Sequence, residues 1–152
     1  MNYKFLYLFI FLSISLTPIN ATSNSSSLIL NHTPVQVCFS PGGGCTALIV
    51  HEIDAAKSEI LVQAYSFTSA PIAAALVKAY KRGVIVKVIL DKSQKKGGYS
   101  SATFLKNAGI QTYIDSAHAI AHNKIIIIDA ETVITGSFNF TAAAEKKTLK
   151  TC

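Results

Sequence analysis

Apolar residues recur along this chain in two rhythms. Residues 59–66 (EILVQAYS), 84–90 (VIVKVIL) and 110–114 (IQTYI) are short runs rich in Ile, Val and Leu, the pattern of strands covered on both faces. Between them the spacing becomes helical. Residues 46–57 place Leu48, Ile49, Ile53 and Ala56 on one face. Ser69 and Pro71 supply the start of a second helix, which Gly83 stops after Lys81 and Arg82. Residues 100–108 read as a short third helix closed by Gly109, residues 35–39 as the first strand, and residues 40–44 (SPGGG) as a turn. The order β, α, β, α, β, α, β predicts an α/β fold: a mixed, largely parallel β-sheet with helices on both faces.

The first 21 residues have a different character. Lys4 gives a basic start, residues 5–16 are apolar, and Pro18 precedes Ile19, Asn20 and Ala21, the layout of a secretory signal peptide. An uncleaved anchor is the second reading, but the run is shorter than the roughly 20 residues of a spanning helix. Residues 22–34 then read as a flexible polar leader interrupted by Leu28, Ile29 and Leu30, and residues 35–152 as one domain. The expected location is periplasmic or secreted, with no stable membrane association after cleavage.

Half of the 152 residues are hydrophobic and 14% are charged, which excludes disordered and low-complexity classes. The formal charge is +6; losing residues 1–21 removes one lysine and no acid, leaving +5. Such a balance favours a polyanionic partner, nucleic acid or an acidic membrane surface. Export also bears on the cysteines, because a close pair outside the cytosol oxidises. Cys38 and Cys45 bracket FSPGGG and are expected to form a disulfide; no second pair stands at zinc-ligand spacing. The glycine loop between them lacks the Lys-Ser/Thr ending of a phosphate-binding loop and reads as a connector. Cys152 is left over.

The sharpest chemistry lies downstream. His122 and Lys124 stand two apart at the head of HNKIIIID, and Ser137 and Asn139 stand two apart in GSFNF. On strands each pair shares a face, so an imidazole, an ammonium, a hydroxyl and an amide can converge on a phosphate without a metal or other cofactor. A histidine at a strand start is by itself usually structural; its neighbours make His122 a candidate. Asp129, an odd number of positions from Lys124, points the other way on a regular strand. It reads mainly as a structural carboxylate capping the turn at Ala130 and Glu131, with direct chemistry as the lesser reading. Phe138 and Phe140 read as packing residues. Lys92, Lys95 and Lys96 fall in a loop at the C-terminal edge of a strand, either gripping a nucleic-acid backbone or simply solvated.

HNKIIIID matches the His-x-Lys-x(4)-Asp pattern of the phospholipase D superfamily, and GSFNF matches its Gly-Ser-x-Asn element. FSPGG, AAKSEI, AYSFTSAPIAAAL, KRGVIVKVILDKSQ and NAGI also resemble the small secreted or plasmid-borne bacterial endonucleases of that superfamily, over about residues 35–145. The resemblance implies a phospholipase D/nuclease-like sandwich and metal-independent cleavage of phosphodiesters through a covalent phosphohistidine. It implies His122, Lys124, Ser137, Asn139 and Asp129 as the motif residues, with Ser66 in AYSFTSAP joining the lysines on the substrate side. One histidine cannot be nucleophile and general acid in the same in-line step. His32, His51 and His118 share no motif with it, so a homodimer with one composite site is expected.

The likeness ends after GSFNFTAAAE. The family continues through Asn-x-Glu-Asn into another strand and a closing helix, whereas this chain reads KKTLKTC, with Lys150 near the position of a glutamate that orients the catalytic histidine. The expectation is a C-terminally truncated nuclease with weakened catalysis, the missing strand leaving sheet edge or apolar surface uncovered. A lipid phosphodiesterase and a noncatalytic DNA-binding remnant are the alternatives.

Overall fold

The apolar runs form the centre of one sheet. In the computed structural model, which describes residues 33–95 and 101–146 and the backbone of 150–151, β2 (Glu59–Ala64), β3 (Ile85–Asp91), β4 (Gln111–Asp115), β5 (Lys124–Ile128) and β6 (Thr132–Thr135) assemble in the order β4-β3-β2-β5-β6. β2, β3 and β4 run parallel, while β5 is antiparallel to both β2 and β6. The mixed α/β sheet is as the periodicity predicts. The signal peptide and nearly all of the leader lie outside the described residues.

Four helices accompany it: α1 (Cys45–Ala55), α2 (Ala70–Lys81), α3 (Ser101–Asn107) and α4 (Ala142–Lys146). α1 buries Cys45, Ile49 and Ile53, spaced by four, and α2 buries Ile72, Ala73, Ala75, Leu76 and Ala79. Both α2 and α3 end as the glycines predict. Gly83 and Gly109 take φ of 95° and 90°, letting Val84 N–H reach the Ala79 carbonyl and Ile110 N–H the Leu105 carbonyl, the reversal that terminates a helix.

α1 packs on α2 and α2 on α3, so these three share one face of the sheet. This common side follows from chirality. The chain steps from β2 to β3 to β4 in one direction, and right-handed crossovers then put α2 and α3 on the same side. The strands register their buried rows beneath these helices, Ile128–Ile60–Val86 in one and Ile126–Val62–Val88 in the next. Among the described residues the opposite face is open at Ile85, Ile89, Tyr113 and Val133.

The first strand also differs from expectation. β1 is only Phe39–Ser40 and pairs antiparallel with β7 (Lys150–Thr151), outside the five-stranded sheet. Val35, Val37 and Phe39 are exposed, so the apolar row they form meets no core, while Cys38 between them is buried. Lys150 stands in this small pairing, opposite Ser40.

Candidate active site

β5 begins at Lys124, and His122 lies in the irregular segment just before it. Lys124 stands in the top row of the helix-covered face, opposite Ala64 of β2, and is only 6% exposed. A buried ammonium needs acceptors. Its Nζ donates to the His122 carbonyl oxygen at 2.8 Å and lies 5.4 Å from the centre of the Tyr65 ring. The exposed His122 imidazole meets the same ring edge-on, with centroids 4.4 Å apart. The two candidates are therefore held by a common aromatic support rather than by a shared strand face.

The segment after β2 joins the two motif halves. Tyr65 N–H donates to the Asn123 carbonyl at 2.8 Å, and Thr68 and Ser69 N–H both donate to the Phe140 carbonyl at 2.9 Å. Phe140 packs edge-on against Phe67, and all three of Phe67, Phe138 and Phe140 are buried, the packing role the sequence predicts for Phe138 and Phe140. Ser137 and Asn139 lie beyond β6 on a loop, not on a strand; Ser137 is exposed and Asn139 half-buried. Ile125 pairs with Thr135, so the ladder runs out where Lys124 and Gly136 face each other and the two halves emerge side by side. Among the described residues the Asn139 side-chain oxygen is buried with no hydrogen-bond partner. Turning the amide offers its N–H2 to a phosphate oxygen.

Carboxylates frame the same end of the sheet. Asp91 and Asp115 are register partners at the ends of β3 and β4. Asp91 accepts from Ala121 N–H at 2.8 Å and Ser93 N–H at 2.9 Å. Hydrogen bonding from the Ser93 side chain and from these two amides lowers its carboxyl to about 2. Asp115 accepts from the N–H groups of Ala117 and His118 and lies 2.7 Å from His118 Nδ1. That His118 contact is the main reason its carboxyl is also lowered.

The remaining candidates are placed as follows. Asp129 is not brought to His122: it lies at the far end of β5, about 17 Å of strand from Lys124. Its carboxylate accepts from the N–H groups of Glu59, Lys57 and Ser58 and from the Ser58 hydroxyl, and these bonds lower its pKa. It thus fastens the start of β2, not its own turn. Lys92 and Lys95 are exposed on a 3-10 turn (Lys92–Lys95) directly after β3, at the edge that carries His122; Lys96 lies outside the described residues. Ser66 is half-buried beside Tyr65 in the bridging segment. Cys38 and Cys45 form the expected disulfide. On either side of Cys45, Gly44 and Thr46 N–H donate to the Glu145 carboxylate at 3.1 and 2.7 Å. Partial burial pushes that carboxyl up, and the bonds from Thr46 and Gly44 outweigh it, so the net shift is downward. Among the described residues no three His, Cys, Asp or Glu side chains are grouped to hold a metal ion, and no helix is long and apolar enough to cross a membrane.

Sequence reasoning passed over Tyr65, Asp91, Asp115 and Glu145. One signal was available: VIVKVILD and IQTYID each end an apolar run on aspartate, where open α/β sheets gather functional groups.

A family model described as "Cardiolipin synthase, PLD-like domain" matches residues 49–150. The chain belongs to the phospholipase D superfamily. His122, Lys124, Ser137 and Asn139 all fall inside the matched range of this superfamily domain, whereas Cys38 and Cys45 precede it. Proteins named phospholipase D from Rickettsia bellii and Rickettsia conorii are 46% and 48% identical, over 88% and 78% of this chain and 67% and 59% of their own lengths. The chain thus spans between 58% and 67% of the length of the curated Rickettsia relatives it matches. Among solved structures, a phospholipase D family member, Nuc from Salmonella typhimurium, is 45% identical with a TM-score of 0.71, covering 76% of this chain and 78% of its own.

Proposed function

We propose that this phospholipase D superfamily domain is a secreted or periplasmic phosphodiesterase that hydrolyses nucleic acid through a phosphohistidine at His122. The observation that carries this reading is the pairing of an exposed imidazole with a buried ammonium, His122 and Lys124, on one tyrosine ring. A nitrogen of His122 attacks phosphorus, the phosphorus–oxygen bond to the leaving group breaks, and that oxygen takes a proton from a second imidazole; water then cleaves the phosphorus–nitrogen bond. Lys124 supplies positive charge to the phosphoryl oxygens, and the Ser137 hydroxyl and Asn139 amide supply donors. The second imidazole comes from His122 of a second copy in a two-fold homodimer, since nucleophile and acid must approach phosphorus from opposite sides. No metal enters this scheme.

Lys92 and Lys95 on the same edge and the chain's excess of base over acid favour a polynucleotide as substrate. A lipid phosphodiester is the second reading, supported by the name phospholipase D on the Rickettsia relatives. Plasmid and phosphatidylcholine vesicles, each offered in EDTA to the purified chain and to His122→Ala, separate the two. Plasmid cleavage that survives EDTA and is lost in the variant is expected. Vesicle hydrolysis without plasmid cleavage would replace nucleic acid by lipid, and cleavage that persists in His122→Ala would remove His122 from the chemistry.

A further inference from the structure

The segment that delivers His122, residues 116–123, carries little regular structure of its own. A catalytic group on such a loop gains precision only if rigid elements hold it. Here the ends of two neighbouring strands do so. At the near end, Asp115 accepts from Ala117 and His118 N–H at 3.0 and 3.2 Å and meets the His118 ring. At the far end, Asp91 accepts from Ala121 N–H at 2.8 Å, one residue before His122. Asp91 and Ala121 are 3% and 5% exposed, so water is kept from this bond, whereas the Asp115 contacts are exposed. The other Asp91 oxygen accepts from Ser93 N–H at 2.9 Å and so sets the first turn of the segment presenting Lys92 and Lys95.

We propose that Asp91 is a positioning residue for His122: its carboxylate pins the end of the histidine loop to the tip of β3 and, with its second oxygen, holds the basic turn to the same point. This rests on the reading of His122 as nucleophile. Asparagine keeps the shape but offers one acceptor oxygen where the carboxylate offers two, so it cannot serve Ala121 and Ser93 together. The lysine charges stay, so substrate capture is retained while the imidazole loses its aim.

The experiment compares wild type, Asp91→Asn and His122→Ala on a fluorescent oligonucleotide in EDTA, with amide hydrogen exchange on the first two. Asp91→Asn is expected to fold, to lose about 10- to 100-fold in kcat with KM changed by less than about threefold, and to exchange the Ala121 amide faster. Unchanged kcat, or a loss confined to KM, would overturn the proposal. Should the variant not fold, exchange in the wild type decides: an Ala121 amide as fast as an exposed loop amide means that the bond does not hold the loop. Should wild type cleave nothing, or His122→Ala cleave as well as wild type, the functional reading fails on its own. The positioning claim is then judged by the His122 ring proton signals, and signals identical in Asp91→Asn and wild type would refute it.

Discussion

Reducing the Cys38–Cys45 disulfide should lower the melting temperature by about 10 °C. The two cysteines are seven apart, and the chain-entropy relation for a cross-link closing so short a loop predicts about 2.4 kcal/mol at 25 °C. The unit Val35–Cys152 has about 120 residues, so its unfolding entropy near the midpoint is about 0.25 kcal/mol per degree, and the ratio sets the shift. Reduction is a cleaner perturbation than substitution because Cys45 is fully buried and keeping its sulfur avoids a cavity. The assay is calorimetry of the protein with and without dithiothreitol, the disulfide state of each sample confirmed by mass. A shift under about 3 °C would refute the reasoning, since it would mean that the loop is just as restricted without the bond. A shift well beyond about 15 °C would also contradict it. Chain entropy alone cannot supply that much, and the excess would mean that reduction also loosens native contacts around the bridge, among them the Glu145 bonds to Gly44 and Thr46.

Three further outcomes are expected. Changing Lys92 and Lys95 together to alanine should flatten the salt dependence of DNA binding by about 1.8 in the slope of log K against log salt, at about 0.9 per phosphate contact; fluorescence anisotropy across a salt series checks this, and an unaltered slope would place both lysines off the backbone. Asp91, Asp115, Asp129 and Glu145 all have depressed pKa values, so the unfolded chain binds their protons more readily. Their stabilisation is full above about pH 5 and is lost as pH falls through the folded values, about 2 for Asp91. Melting temperature followed by circular dichroism should be level from about pH 7 to 5, drop below about pH 4, and drop less in Asp129→Asn; a decline already complete at pH 5 would contradict this. Phe140→Ala should cost about 3–5 kcal/mol by denaturant unfolding, because the ring is buried against Phe67, and Phe140→Leu markedly less.

Much of the site was legible in order of residues alone. His122, Lys124, Ser137 and Asn139 are recognisable because a phosphate demands a nucleophile, a cation and donors, and those identities survive in one dimension whatever the strand boundaries turn out to be. Their mutual support was not legible. Tyr65 comes 57 positions before His122 and meets it only because β2 and β5 pair antiparallel, which lines Ala64 up with Lys124. Asp129 was misplaced for the same reason: period-two alternation tells which face a side chain takes, not which segment waits there, and the amides it binds belong to the start of β2, about 70 residues earlier.

Periodicity and helix stop signals, being local, determined the strands β2, β3 and β4, the helices between them and the glycines that close α2 and α3. Export, leader and charge are likewise readings of composition, and they stand as expectations. Tertiary structure decided that α1, α2 and α3 crowd onto one face, that residues 35–37 pair with no strand among the described residues, and that Asp91 reaches across to Ala121. Each depends on contacts between segments far apart in the chain. A strand pairing or a carboxylate–amide bond is specified by where the backbone returns, and that is set by crossover handedness and burial of the whole sheet rather than by the residues that make the contact.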